Sequence, residues 1–221
     1  MYSNCELCPR KCGVDRSKEK GVCSMSDKPA LARAALHFWE EPCISGDRGS
    51  GTVFFSGCAM KCVYCQNRSI AIGEVAKEVD SNRLTEIYFE LRDKGAHNIN
   101  LVTASHFLPH VVESIEEAKK EGIDIPFVYN SGGYERVESL KQLEGLIDIY
   151  LPDYKYALSK DAKKYSHAPD YPEVALSAID EMVRQQGECV IEDGIMRKGV
   201  IIRHMMLPGK IIESKMAVKR L

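Results

Sequence analysis

Hydrophobic residues follow two alternating spacings along the chain from about residue 51 onwards. Short apolar runs, typical of buried strands, alternate with stretches in which apolar residues recur every three or four positions, as on one face of a helix. The predicted strands are 52–55, 99–103, 126–129, 147–151 and 200–203, and the helices between them end near Gly95, Gly122, Gly145 and Gly187. Strands that alternate with helices indicate βαβ units, and therefore an α/β fold with a parallel sheet. Right-handed crossovers would curl this sheet into a barrel or part of one.

The two ends of the 221-residue chain depart from this pattern. The chain stops where the helix after the fifth predicted strand is due, so we expect a partial barrel, either truncated at the C-terminus or open. The first 30 residues are polar, rich in cysteine and weakly periodic. We therefore predict a Cys-rich N-terminal segment over 1–45 and a partial barrel domain over 46–221, with Phe38 and Trp39 covering the join.

Composition narrows the class of protein without identifying a function. Hydrophobic residues make up 44% and charged residues 28%, which is ordinary for a soluble globular protein. The formal net charge of −2 gives no indication of a nucleic acid or an anionic membrane as partner. No apolar run approaches the roughly 20 residues of a membrane helix, and the N-terminus lacks the basic flank and apolar stretch of a signal peptide. We expect a cytoplasmic protein.

The nine cysteines carry more information, because their number is odd and nothing indicates secretion. A disulfide framework is therefore disfavoured, and metal or cluster ligation is favoured. One group, within the first 23 residues, consists of Cys5, Cys8, Cys12 and Cys23. These four thiols could hold zinc or a second iron–sulfur cluster. Their spacing is not the paired C-x2-C of a zinc ribbon, so reduced, unligated cysteines remain the alternative.

The second group, Cys58, Cys62 and Cys65, lies on a loop that directly follows the first predicted strand. This position is at the carboxyl edge of the sheet, where the active sites of parallel α/β folds gather. Three soft ligands on a short loop suit an iron–sulfur cluster or zinc. A structural metal site normally closes its fourth position, whereas three thiolates leave one iron of a 4Fe–4S cluster open. A zinc site would need another ligand, such as His106 or Cys43.

The C-x3-C-x2-C spacing of this loop, with Tyr64 before the last cysteine, resembles the radical S-adenosylmethionine (SAM) superfamily. The resemblance implies a 4Fe–4S cluster on Cys58, Cys62 and Cys65, whose open iron binds the amino and carboxylate groups of SAM. It also implies reductive cleavage of SAM to a 5′-deoxyadenosyl radical that abstracts hydrogen.

Further stretches resemble one branch of that superfamily. The Gln66-Asn67 pair after the cysteines and the Asp153-Tyr154-Lys155 stretch look like the activating enzymes of glycyl radical enzymes. Residues 38–46 and 49–51 look like the pyruvate formate-lyase activating-enzyme-like branch. This resemblance implies an anaerobic oxidoreductase that activates a glycyl radical enzyme, with a low-potential reductant such as flavodoxin or ferredoxin. Two alternatives remain: a radical SAM enzyme acting on a small molecule or another peptide, and a non-catalytic iron–sulfur or zinc module.

Residues at the ends of the predicted strands are the candidates for holding the cofactor. Asp153 and Lys155 match the family's Asp-x-Lys, in which the lysine pairs with the carboxylate of SAM; a surface ion pair is the alternative. The superfamily often has Gly-Gly-Glu at the second strand, to bind the amino group of SAM. This chain has no carboxylate there, so the hydroxyls of Thr103 and Ser105 are the candidate acceptors.

The remaining cofactor candidates are Asn130, Ser131 and Arg203, at the ends of the third and fifth strands. Asn130 stands where activating enzymes often carry an aspartate, which puts a cation site there in doubt. No residue is identifiable as a catalytic acid or base.

Overall fold

The computed structural model describes residues 2–221 and contains one sheet of eight strands. The strands are β1 (Ala30–His37), β2 (Ser50–Phe55), β3 (Lys77–Glu78), β4 (Ile99–Val102), β5 (Phe127–Ser131), β6 (Ile149–Pro152), β7 (Val190–Glu192) and β8 (Ile195–Val200). Their order across the sheet is β3-β1-β2-β4-β5-β6-β8-β7. Strands β2, β4, β5, β6 and β8 run parallel, and the sheet stays open at both edges. The α/β fold and the partial barrel are confirmed.

Helices connect neighbouring parallel strands, as the periodicity predicts, and one further helix precedes β2 and another follows β8. They are α1 (Pro42–Ser45), α2 (Arg68–Ala71), α3 (Ser81–Asp93), α4 (Leu108–Lys120), α5 (Val137–Leu140), α6 (Ser159–Ser166), α7 (Tyr171–Gln186) and α8 (Ile211–Arg220). The start of α3 is fixed by Asp80, whose carboxylate accepts from the Arg83 N–H at 2.8 Å. None of the helices within residues 2–221 is both long enough and apolar enough to cross a membrane.

The fifth parallel strand lies earlier in the chain than its apolar run suggests. Strand β8 ends at Val200, and Arg203 joins the sheet only through an isolated bridge to Asp153. Strand β8 forms an antiparallel hairpin with β7, which precedes it in the chain. The hairpin turns at Asp193 and Gly194, both of which have a positive φ. Such a turn suits a two-residue hairpin loop. All three residues of β7 are exposed, so it lacks the apolar pattern that would have predicted it.

Strand β1 is absent from the predicted elements because its sequence is rich in alanine, which favours helix. It forms a strand by pairing antiparallel with β2 from Leu31 to His37, and this pairing overrides the local preference. Beyond β1, the short β3 is the outermost strand on that side of the sheet.

The N-terminal turns (residues 2–29) contain no helix or strand, yet they pack into the main core. Cys5, Leu7, Cys23 and Met25 are buried in the same cluster as side chains of β2, β4, α3 and α4. The expectation that Phe38 and Trp39 cover this join is wrong, since their exposed fractions are 52% and 89%. The chain leaves the sheet after His37 and carries both side chains outward.

Candidate active site

An open cleft of about 580 Å³ lies at the carboxyl edge of the parallel strands. All three cysteines of the loop 58–65 and all seven predicted cofactor residues line it. These residues are Cys58, Cys62, Cys65, Thr103, Ser105, Asn130, Ser131, Asp153, Lys155 and Arg203. The topology explains this convergence, because loops that follow neighbouring parallel strands emerge on the same edge of the sheet.

The cluster loop (residues 58–65) is held against the N-terminal turns. Gly57 has a φ of 86°, and a Cβ there would lie 2.6 Å from the Cys23 carbonyl oxygen, so a larger residue would push the two segments apart. The Cys58 N–H donates to that carbonyl at 3.2 Å. Arg10 adds a second connection, because its Nε donates to the Ala59 carbonyl at 2.9 Å. The N-terminal turns therefore position the cluster loop.

The three thiols of the cluster loop differ in their surroundings. Cys62 is buried, whereas Cys58 and Cys65 are half-buried. Burial raises the pKa of the Cys62 thiol, while the Ser166 hydroxyl and the Lys155 charge act to lower it. Burial also raises the pKa of Cys65. The protein alone thus disfavours the thiolate form, and a bound metal would supply the charge that stabilises it.

A polar network joins the ends of three strands on the other side of the cleft. Lys155 Nζ contacts Asp153 Oδ2, and Arg203 Nε donates to Asp153 Oδ1 at 2.9 Å. The same guanidinium reaches Asn130 Oδ1 at 2.6 Å and Glu40 Oε2 at 3.2 Å. Within residues 2–221, Lys155 Nζ has no hydrogen-bond partner besides Asp153. Two of its three N–H donors remain for a ligand in the cleft.

Glu135 is a residue of the cleft that the sequence interpretation missed. Its side chain is buried, accepts from Ser105 Oγ at 2.6 Å, and accepts from Tyr129 Oη at 3.4 Å. No basic side chain within residues 2–221 forms an ion pair with it, and burial raises its pKa to about 7. One predicted cofactor contact, Ser105, therefore bonds a carboxylate that itself faces the cleft, and Ser131 lines the cleft beside it.

The Gly132-Gly133 turn places Glu135 in this position. Gly133 has a φ of 76°, and a Cβ there would lie 2.2 Å from the Asp153 carbonyl oxygen. Only glycine fits so close to the neighbouring strand end. A carboxylate thus comes from the loop after β5, and not from the end of β4, where Thr103 has a left-handed φ of 59°. A glycine pair followed closely by an acidic residue was the available sequence signal.

His106 and Cys43 are not arranged as a fourth ligand for the cluster loop. The His106 Nε2 lies 2.6 Å from the Ser56 carbonyl oxygen, to which it donates, and burial lowers its pKa to about 4. Cys43 packs against a separate apolar cluster and does not line the cleft. Across residues 2–221, no three His, Cys, Asp or Glu side chains are grouped to hold one metal ion.

Three of the N-terminal cysteines, Cys5, Cys12 and Cys23, lie near a buried cation. Arg16 is 1% exposed, and its Nη1 lies 3.8 Å from Cys5 Sγ. Its guanidinium also donates to the carbonyl oxygens of Met25, Ser26 and His106 and lies over the rings of Tyr2 and Phe107, and no carboxylate pairs with it within residues 2–221. A Cβ at Gly21 would lie 3.4 Å from Cys23 Sγ and 3.5 Å from Cys12 Sγ. A buried charge without a partner of opposite sign is costly, so this pocket favours an anionic centre.

Comparison with known proteins agrees with the geometry of the cleft. Residues 52–218 match the family model described as the radical SAM superfamily. The chain is also 28% identical over 218 residues to uncharacterized protein MJ0674 of Methanocaldococcus jannaschii. That alignment covers 96% of this chain and 59% of the relative, so the chain spans less than two thirds of the relative's length. Because the family match covers well over half of the chain, including the cluster loop and the ends of all five parallel strands, the chain belongs to the radical SAM superfamily.

Proposed function

We propose that this protein reductively cleaves SAM at a 4Fe–4S cluster held by Cys58, Cys62 and Cys65. Membership of the superfamily implies the cluster and SAM. The observation that carries the proposal is the shared cleft, which three thiols, an ammonium and a buried carboxylate without a counter-ion all face. These groups fit a cluster with one open iron and a zwitterionic ligand beside it. When bound, the cluster and SAM supply a one-electron cleavage that generates a radical for hydrogen abstraction.

The protein's own residues bind and orient SAM. Lys155 Nζ would donate to the carboxylate of SAM, and Asp153 and Arg203 hold the Lys155 ammonium in position. Glu135 would accept from the amino group of SAM, and the Ser105 hydroxyl holds the Glu135 carboxylate in place. Ser131 would contact SAM from the same part of the cleft. Thr103 and Asn130 line the cleft beside them.

Anaerobic incubation of the iron- and sulfide-reconstituted protein with SAM and dithionite tests the proposal. We expect 5′-deoxyadenosine and methionine from the wild type, none from Cys58→Ala, and an unchanged yield from Cys189→Ala, since Cys189 is exposed and outside the cleft. A cluster-loaded wild type that forms no 5′-deoxyadenosine would instead support the non-catalytic alternative.

The substrate proposed for this chemistry is a glycine in a glycyl radical enzyme, with flavodoxin or ferredoxin as reductant. Support comes from the Asp153-Tyr154-Lys155 stretch and from the rim of the cleft. There Trp39 and Met205 are 89% and 41% exposed and offer apolar surface to a peptide segment. Electron paramagnetic resonance (EPR) on a mixture with a candidate partner should detect a glycyl radical that depends on SAM. A radical product on a small molecule, or on another peptide, would select the alternative.

The N-terminal cysteines are proposed to hold a second iron–sulfur cluster. Four thiolates give such a cluster a net negative charge, which the buried guanidinium of Arg16 would balance. Zinc is the second candidate metal, although within residues 2–221 the thiols are not grouped for one ion.

A further inference from the structure

A chain of three hydroxyl groups ends on the sulfur of Cys62. Ser166 Oγ donates to Cys62 Sγ at 2.8 Å, and Tyr156 Oη lies 2.7 Å from Ser166 Oγ. Tyr64 Oη in turn contacts Tyr156 Oη. Of the three cluster-loop thiols, Cys62 is the one that receives a side-chain hydroxyl within residues 2–221.

The number of protons on these groups determines the direction of each hydrogen bond. A thiolate bound to iron can only accept, so the single proton of the Ser166 hydroxyl points to Cys62. Ser166 must then accept from Tyr156, and Tyr156 must accept from Tyr64. All three hydrogen bonds therefore donate toward the sulfur, and each strengthens the next.

The surroundings keep this arrangement rigid and dry. Ser166 is fully buried, and Tyr156 and Cys62 are 4% and 9% exposed, so water does not compete for these bonds. Ser166 is the last residue of α6, and Arg10 donates to its carbonyl at 3.1 Å. Because Arg10 also bonds Ala59, the hydroxyl and the cluster loop are held by one side chain.

We infer that the Ser166 hydroxyl, supported by Tyr156 and Tyr64, raises the reduction potential of the cluster bound at Cys62. The inference rests on the proposed function, since it takes Cys62 as a cluster ligand. Reduction adds negative charge to a cluster and its sulfurs, so a donor aimed at a ligand sulfur stabilises the reduced form more than the oxidised form. Ser166 is thus a positioning residue that makes the cluster easier to reduce.

An EPR-monitored dithionite titration of the reconstituted protein without SAM tests this inference. We expect Ser166→Ala to keep its iron, while the reduction potential of its cluster becomes about 59 mV more negative. At a given solution potential, the ratio of reduced to oxidised cluster would then be about tenfold smaller. Tyr156→Phe should shift the potential in the same direction by less, and Ser166→Thr should restore it. Ser177→Ala is the matched control, since the Ser177 hydroxyl donates to the Glu173 carbonyl on the exposed face of α7.

The outcomes separate this inference from the proposed function. A wild type that takes up no cluster at all would overturn the proposed function. A wild type with a cluster, and a Ser166→Ala variant with the same cluster and an unchanged potential, would overturn the inference alone. If Ser166→Ala does not assemble a cluster, Tyr156→Phe decides, and its unchanged potential would likewise overturn the inference.

Discussion

Replacing Glu135 with glutamine should stabilise the protein without ligand while weakening its binding of SAM. Glu135 is buried without a cation, and its pKa is raised from 4.5 to about 7. At about 1.4 kcal/mol for each tenfold in proton binding, ionised Glu135 costs about 3 kcal/mol of folding stability at pH 8. Glutamine has nearly the same shape, can still accept from Ser105, and carries no charge. We therefore expect its free energy of unfolding at pH 8 to be higher by about 1–3 kcal/mol.

The pH dependence of unfolding follows from the direction of this pKa change. Between pH 4.5 and about 7 the folded state holds a proton on Glu135 that the unfolded state has released. The stability contribution of Glu135 therefore falls as pH rises through this window, and levels off above it. Urea unfolding at pH 5 and pH 8, with identical metal loading, should show Glu135→Gln nearly equal to wild type at pH 5 and more stable at pH 8. A difference that does not change with pH would refute the reasoning.

The same substitution should weaken the binding of SAM although it stabilises the fold. A hydrogen bond between a carboxylate and an ammonium is worth about 1.5–3 kcal/mol, so calorimetric titration at pH 8 should give about 10- to 100-fold weaker binding for Glu135→Gln. Glu138→Gln, three residues along and 70% exposed, is the control and should change neither quantity appreciably. Equal dissociation constants for wild type and Glu135→Gln would remove Glu135 from the SAM site.

Two further predictions concern Lys155 in the same cleft and the four N-terminal cysteines. Lys155→Ala should bind SAM about 10- to 100-fold more weakly while keeping the cluster, because it loses a charge-assisted bond. Calorimetric titration with SAM, together with iron analysis, checks this. An unchanged affinity would mean that Lys155 and Asp153 form a structural ion pair and do not bind SAM. A variant lacking Cys58, Cys62 and Cys65 should still bind about four irons after reconstitution, at the N-terminal cysteines. One bound zinc ion per chain would instead identify zinc as the metal at these cysteines. If the variant binds no metal and all four N-terminal thiols are freely alkylated, the proposed site is contradicted.

The parallel strands and their helices were predictable because each buries one face, and burial imposes a period on the sequence. The positions of α3 and α4 follow directly from apolar residues such as Leu84 and Val111, which are fully buried. Strand β1 was not predictable in this way. Its alanines favour helix, and only the pairing with β2 overrides that preference.

Part of the candidate site was predictable from local sequence, and part depends on contacts between distant segments. The cluster loop carries its spacing in eight consecutive residues, and the cofactor candidates lie at strand ends that topology brings together. Glu135 has only the weak signal of the glycine pair before it, and Ser166 has no local signal. They reach the site through the Gly132-Gly133 turn and through the end of α6, held by Arg10 from more than 150 residues away, and a pattern along the chain does not contain these contacts.

The most direct test of the central claim is the EPR spectrum of the dithionite-reduced cluster, recorded with and without SAM. If Cys58, Cys62 and Cys65 leave one iron open to SAM, addition of SAM should shift the spectrum of the wild type, and Cys62→Ala should give no such cluster signal. A wild-type cluster whose spectrum is identical with and without SAM would contradict the account.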